Sequence, residues 1–452
     1  MPKTLYLVHA IDTEGPLYES LEATFERLEK ITGVRLEPTQ ENLGRVRRRE
    51  LDLGGREEVA SVAVSKELLT YNDTWDKVDA MLAEMLSPAY RERYADPEGR
   101  GWVYSWFLMD HVGYTVNPRR RDLGYHNIFD HYRTLLRETG SPDDVQWHFH
   151  PMSTYREAHI VATSYLNSPH LLESLARRII DRAWFPNSFR PGFHTERPDA
   201  HWFLEQWIPF DFANQSLPGD SRLEQQADVA GGRLGDWRRA PHDWSPYRPA
   251  HDDYQVPGGC RRTIFRCLNV GTRFRLLDRA EIRRAFARAD AGLPTVLAFT
   301  NHDFRDMRGD VAQVFEQVSE VSREFPEVSW RHARAQDAAR AVLGLEHETP
   351  LRLTATLTRR GDALHLDVTS NVDTFGPQPF LAIKTRDKRY LTDNFDLQTP
   401  RRHFTYVFDA DTVLPESLAA VGVASNGLDG STHTVVLSPE GDLLAETFNP
   451  QA

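Results

Sequence analysis

The chain alternates short apolar runs that end in polar clusters with longer stretches of helical periodicity. Residues 4–11 (TLYLVHAI) are apolar and β-prone and run straight into DTEG, which predicts a buried strand with polar residues at its end. From about 17 to 95 the pattern turns helical and charged, as in LEATFERLEKI and WDKVDAMLAEML. A second buried strand is expected over 101–112 (GWVYSWFLMDHV), then a helix over 127–140 closed by glycine. A third strand over 145–152 (VQWHFHPM) ends in histidines and leads to a helix over 170–184. SFRPGFH (188–194), the helix AHWFLEQW and the strand IPFDFANQS (208–216) follow. After an irregular stretch over 231–259 come a helix at 279–292 and a strand at 295–304 (TVLAFTNHDF).

Strand, polar loop, helix, repeated in this way, predicts a parallel α/β fold, a barrel or an open sheet. In a barrel the chemistry gathers at the C-terminal strand ends, where the unusual polar residues of this chain lie. From about 350 the period becomes two. LRLTATLTRRGDALHLDVTSN reads as a hairpin, and short strands follow at FLAIKTR, HFTYVFD, AAVGVASN and THTVVLS. The expectation is an α/β barrel over 1–345 with a helical insertion around 20–98, and a β-sandwich-like accessory domain over 350–452.

Length agrees, since 452 residues exceed one ordinary core. With 40% hydrophobic and 27% charged residues the composition is that of a soluble globular protein. A net charge of −12 argues against a nucleic-acid surface, and the arginines at 47–49 read as a solvated helix face. The two cysteines, Cys260 and Cys267, form neither a disulfide framework nor a zinc knuckle. No apolar run is long enough to span a bilayer, and the N-terminus lacks a leader-like apolar region. A cytoplasmic protein without a membrane span is expected; a homo-oligomer is compatible with the sequence.

Candidate chemistry sits at the strand ends. Asp12 and Glu14 share one face of a strand end, because side chains alternate with period two. Close carboxylates repel unless a cation or a proton lies between them, so a metal ligand beside a general base is one solution. A helix cap and a solvent-facing glutamate are the plainer alternative. His148 and His150 also share a face, between Trp147 and Phe149, and two imidazoles so placed converge readily on one zinc. Hydrogen-bonded core histidines are their alternative. Arg190 suits a carboxylate partner such as Asp12. His302 reads as a general acid oriented by Asp303 or another carboxylate. Asp110, His111 and His194 are candidate further ligands or substrate contacts. Trp237, His242, Asp243 and Trp244 read as packing more than as a sugar platform.

In this order the motifs resemble the polysaccharide deacetylase superfamily, carbohydrate esterase family four, over roughly residues 4–340. The resemblance implies a distorted (β/α) barrel of that type and one divalent ion, zinc being the expected metal. It implies Asp12 as base and Glu14, His148 and His150 as ligands. Arg190 would orient the base, and His302 would protonate the leaving group. A backbone N–H near the first motif would help to stabilise the oxyanion. Two departures stand out. Met152 stands where the family has its second histidine, His150 coming two residues earlier, and Glu14 replaces the second aspartate after an inserted Thr13. Asp110, His111 or His194 would then complete the sphere. The function implied is deacetylation of an N-acetyl or O-acetyl group on a sugar, glycan or other small amide. The rival readings are a catalytically silent carbohydrate-binding protein and a metal-dependent amidohydrolase acting on a non-sugar C–N bond.

Overall fold

The computed structural model describes residues 3–110, 112–115, 117, 119, 124–152, 156–157, 164–219, 235–272 and 274–449. Its central sheet contains eight strands: β1 (Thr4–Thr13), β2 (Ser105–Met109), β3 (Asp144–Phe149), β4 (Ser188–Pro191), β5 (Phe210–Asn214), β6 (Thr263–Asn269), β7 (Thr295–His302) and β8 (Ser329–His332). All pairings are parallel, and β1 closes the ring by pairing with β7 along its length and with β2 through Ala10–Thr13. Among the described residues, β1 to β7 thus form a closed α/β barrel. β8 pairs only with Thr4–Leu7, on the side where β2 has not yet joined, so the barrel is closed at its C-terminal mouth and splayed by β8 at its base.

β1 is buried at every position, as a strand covered on both faces must be. The insertion contains six helices between Leu21 and Arg93. Five of them begin at a Ser or Thr whose side chain accepts a backbone N–H: Ser20, Thr39, Ser65, Thr74 and Ser87. The first part of the insertion packs around Phe25, Leu28, Leu43 and Val46. The helix Trp75–Met85 instead joins the barrel core through Val78, Met81 and Leu82.

Two strands depart from expectation. β6 follows the stretch read as irregular, at a place where no element was expected, because its Arg266 and Cys267 mask a fully buried strand; Arg266 is neutralised inside by Glu281 at 2.6 Å. β8 is only four residues long and carries Arg331 and His332, so no apolar run marks it.

Beyond 350 two antiparallel sheets enclose a core of leucines, valines and phenylalanines. They include three strands the sequence reading lacked, Tyr390–Asp393, Asp396–Thr399 and Leu443–Asn449, all exposed or half-exposed edges. This module is not detached. Phe380, Ala382 and Ala424 share a buried cluster with Leu175, Ile179 and Trp207 of the barrel's outer helices. Gly422 makes the approach possible, since a Cβ there would lie 2.5 Å from Ile179 Cγ2. Asn426 donates from Nδ2 to the carbonyls of Pro186 and Trp207, both at 2.7 Å. No helix among the described residues is long and apolar enough to cross a membrane.

Candidate metal centre

Strand register assembles the site. Asp12 of β1 lies beside His302 of β7, and His148 of β3 lies beside Arg190 of β4. Asp12, His148 and His302 line one open cavity of about 180 Å³ together with Glu14, His150 and His194, while Arg190 stands buried behind it.

Arg190 grips Asp12 with two bonds, Nε to Oδ1 at 2.6 Å and Nη2 to Oδ2 at 3.0 Å. Both partners are almost fully buried. Burial alone would raise the Asp12 carboxyl, but the Arg190 charge, then His148, then the Arg190 hydrogen bonds hold it well below the usual carboxylate range. His148 Nδ1 lies 3.0 Å from the Arg190 carbonyl, which only accepts, so Nδ1 carries the proton and Nε2 presents a lone pair. Burial above all lowers the His148 pKa to about 4, against the pull of Asp12, so the ring is neutral.

That lone pair points at two other donors. His150 Nε2 lies 3.0 Å from His148 Nε2, and Glu14 Oε1 lies 3.6 Å from the former and 3.9 Å from the latter. Ligand atoms at 2.0–2.1 Å from a tetrahedral zinc stand about 3.3–3.4 Å apart, within the range of these separations. The donor set of two imidazole nitrogens and one carboxylate oxygen is that of catalytic zinc sites, which keep a fourth position open. The three residues therefore fit a divalent ion. Asp12 is turned to Arg190 instead, which separates the two carboxylates of the first motif by role.

His150 is seated by a close approach. A Cβ on Gly192 would fall 2.1 Å from His150 Cδ2, so only glycine leaves room for the ring. Phe193 and His194 then follow with φ of 53° and 52°, left-handed backbone that turns the chain back into the cavity wall. His302 Nε2 stands 3.8 Å from Asp12 Oδ2 and 3.7 Å from Glu14 Oε1.

The other expected residues take different places. Asp110 points out of the cavity into a buried ion pair with Arg178 at 2.5 Å and accepts from Trp147 Nε1, so it is neither ligand nor substrate contact. His111 lies outside the described residues. His194 lines the cavity, with Nδ1 3.5 Å from Arg190 Nη2, and burial holds its pKa well below the usual imidazole range. Asp303 does not orient His302. Its two oxygens accept the N–H groups of Glu14 and Gly15, both at 2.9 Å, and the Tyr132 hydroxyl at 2.7 Å. This fixes the DTEG turn and removes those two N–H groups as oxyanion donors. Trp237 and Trp244 are buried and donate to the carbonyls of His194 and Glu281, which makes both of them structural.

A second group, His201, Glu205 and Cys260, has the spacing of a metal site but not its chemistry. Arg262 Nη1 donates to His201 Nδ1 at 2.6 Å, so the lone pair faces the arginine and the proton sits on Nε2, the reverse of His148. Arg262 also takes Glu205 Oε1 at 3.0 Å.

Sequence reading missed Tyr132, whose helix gives no sign that its hydroxyl reaches Asp303, and the loop residues Tyr71, Arg119 and Arg305, which line the cavity without any motif. Comparison of the sequence with protein-family models and with curated proteins finds no match, and the functional reading rests on the geometry of the site itself.

Proposed function

We propose that this protein is a metal-dependent hydrolase of the polysaccharide deacetylase type that removes an acyl group, acetyl above all, from an amide or ester. The observation that carries the reading is the division of labour at one barrel mouth. Three donor atoms of Glu14, His148 and His150 face each other, while Asp12 beside them is held ionised by Arg190 and His302 faces both carboxylates. Glu14, His148 and His150 would hold the ion, which supplies polarisation of the acyl carbonyl and lowers the pKa of a water towards ~7.

The chain's own residues do the rest. Asp12 accepts the proton of the attacking water, Arg190 keeping its oxygens aimed and charged. His302 delivers a proton through Nε2 to the departing nitrogen or oxygen. Water and amide thus become carboxylic acid and amine. Base and acid each contribute about 10²–10⁴-fold. The presence of both argues for an enzyme over a silent binding protein, which needs neither.

The test is metal content and turnover measured together. Purified protein should carry about one zinc per chain, and His148→Ala or His150→Ala should lose it. Asp12→Asn should keep zinc while acetate release from small acetamides and acetyl esters falls by orders of magnitude. Stoichiometric zinc in both histidine variants, or full turnover in Asp12→Asn, sinks the reading.

A further inference from the structure

A tetrahedral oxyanion is stabilised by a hydrogen-bond donor already aimed at the place where its charge develops. The first motif does not supply one through Glu14 and Gly15, whose N–H groups are held by Asp303. His194 has the position for that task. Its ring lines the same cavity as Asp12 and His302. Arg190 Nη2, which holds Asp12 Oδ2 at 3.0 Å, also stands 3.5 Å from His194 Nδ1, so a single guanidinium nitrogen lies between the ring and the base. A guanidinium only donates, which makes Nδ1 the bare nitrogen and puts the proton on Nε2. Arg190 is buried behind the cavity, so Nε2, on the edge of the ring turned away from it, faces the cavity. The ring is also uncharged. Burial first, and then the Arg190 charge, hold its pKa well below the usual imidazole range against the pull of Asp12.

The backbone here is strained to hold the ring where it is. Phe193 and His194 sit at φ of 53° and 52°, a left-handed region that persists in non-glycine residues only where the surroundings impose it. Trp237 Nε1 donates to the His194 carbonyl at 2.9 Å, and a Cβ on Gly235 would strike that same oxygen. Phe193 packs against the His150 ring, centroids 4.8 Å apart. The left-handed pair thus sets one side chain against a metal ligand and the next beside the base. We propose that His194 is a catalytic residue whose Nε2–H donates to the acyl oxygen of the substrate as that oxygen takes up negative charge. The proposal rests on the hydrolase reading of the same site. The water oxygen adds to the acyl carbon, the carbonyl electron pair moves onto oxygen, and it returns as the leaving group departs. His194 keeps its proton throughout, unlike His302. A neutral imidazole suits this part, because it polarises a carbonyl without becoming the acid.

Steady-state kinetics of His194→Ala and His194→Gln on a matched acetanilide and aryl acetate test this, with zinc content measured in parallel. The oxyanion forms whichever group leaves. His194→Ala should therefore lower kcat by about 10²–10³-fold on both substrates, with KM little changed and zinc retained. His194→Gln, which restores an N–H donor, should recover part of that loss. His194→Leu, which fills the space of the ring without a donor, takes the place of His194→Ala if the smaller side chain does not fold. In the wild-type protein, nitrogen-15 NMR of the histidine rings should show His194 protonated on Nε2 alone at neutral pH, a readout independent of turnover. A ring protonated on Nδ1, a kcat loss confined to the amide, a loss of zinc, or a Gln variant no better than the alanine one overturns the proposal. Zinc-loaded wild-type protein that releases no acetate ends the hydrolase reading and this proposal with it. Unchanged turnover in folded His194→Ala ends this proposal alone.

Discussion

Arg190 and Asp12 face each other through two N–H···O bonds, 2.6 Å and 3.0 Å long, with both side chains almost fully buried. Burial opposes the Asp12 charge, and Arg190 overrides it. Replacing Arg190 by Gln removes the override and leaves the burial. The Asp12 pKa should therefore rise, so the base becomes protonated at a higher pH and activity is lost earlier as pH falls. The acid limb of kcat/KM should move upward by about one to three pH units. Stability follows the same sign. A depressed carboxylate stabilises the fold above its unfolded pKa, a contribution lost only as pH falls through the native value, and breaking a buried pair costs about 3–5 kcal/mol. An unmoved acid limb in a folded Arg190→Gln protein would show that Asp12 is not the base.

Gly192 makes a sharper test of the ligand geometry, because it is not among the cavity-lining residues and bears no ligand side chain. Its Cβ would strike the His150 ring at 2.1 Å, and the ring, being the end of a side chain, is what must give. Gly192→Ala should fold and keep His148 in place while zinc affinity drops by about 10–100-fold, the scale seen when a ligand loses its orientation. Titration with a chromophoric chelator measures it. Unchanged affinity would mean that His150 is not a ligand.

Much of this site was legible because each motif follows an apolar strand and the barrel register does the rest: Asp12 meets His302 and His148 meets Arg190 by strand pairing alone. The two misplaced acids, Asp110 and Asp303, share one physical cause. At a strand end only alternate residues face the mouth, and a string such as MDH or NHDF does not say which. Met109 and His302 line the cavity, so Asp110 and Asp303, one residue on, turn elsewhere, to Arg178 and to the DTEG turn. β6 was hidden by Arg266, whose partner Glu281 lies on a later helix, and Tyr71, Arg119 and Arg305 stand in loops that no periodicity marks. The contact of Gly422 with Ile179 joins residues far apart in sequence and was beyond reach for the same reason.

That contact changes what a truncation should do. A chain ending near 345 would keep the whole barrel mouth but expose Ile179, Trp207 and their neighbours, now covered by Phe380 and Ala424. It should aggregate or melt well below the full-length protein. In the intact chain, Asn426→Ala strips the buried carbonyls of Pro186 and Trp207 of their donor and should cost about 2–5 kcal/mol. A denaturation curve decides it, and a loss below about 0.5 kcal/mol, the level of a neutral surface change, would mean that the two modules do not depend on this joint.

His302 carries the last prediction. Its Nε2 stands 3.8 Å from Asp12 Oδ2 and 3.7 Å from Glu14 Oε1, near both carboxylates and on the more open side of the site, its side chain 18% exposed against 2% for Asp12. A proton donor belongs where a leaving group can pass, and the attacking water belongs nearer the buried base. The strand register fixes this arrangement, since His302 is the β7 residue directly beside Asp12. His302→Ala should therefore keep zinc and leave substrate affinity near its original value while lowering kcat. The loss should depend on the leaving group. An amide departs as a strongly basic nitrogen and needs the proton, so its kcat should fall by about 10²–10⁴-fold. An aryl acetate departs as a stabilised phenolate and should lose far less. Steady-state kinetics on a matched acetanilide and aryl acetate make the comparison. Equal losses on both would assign His302 to positioning, and a loss of zinc would place it among the ligands instead.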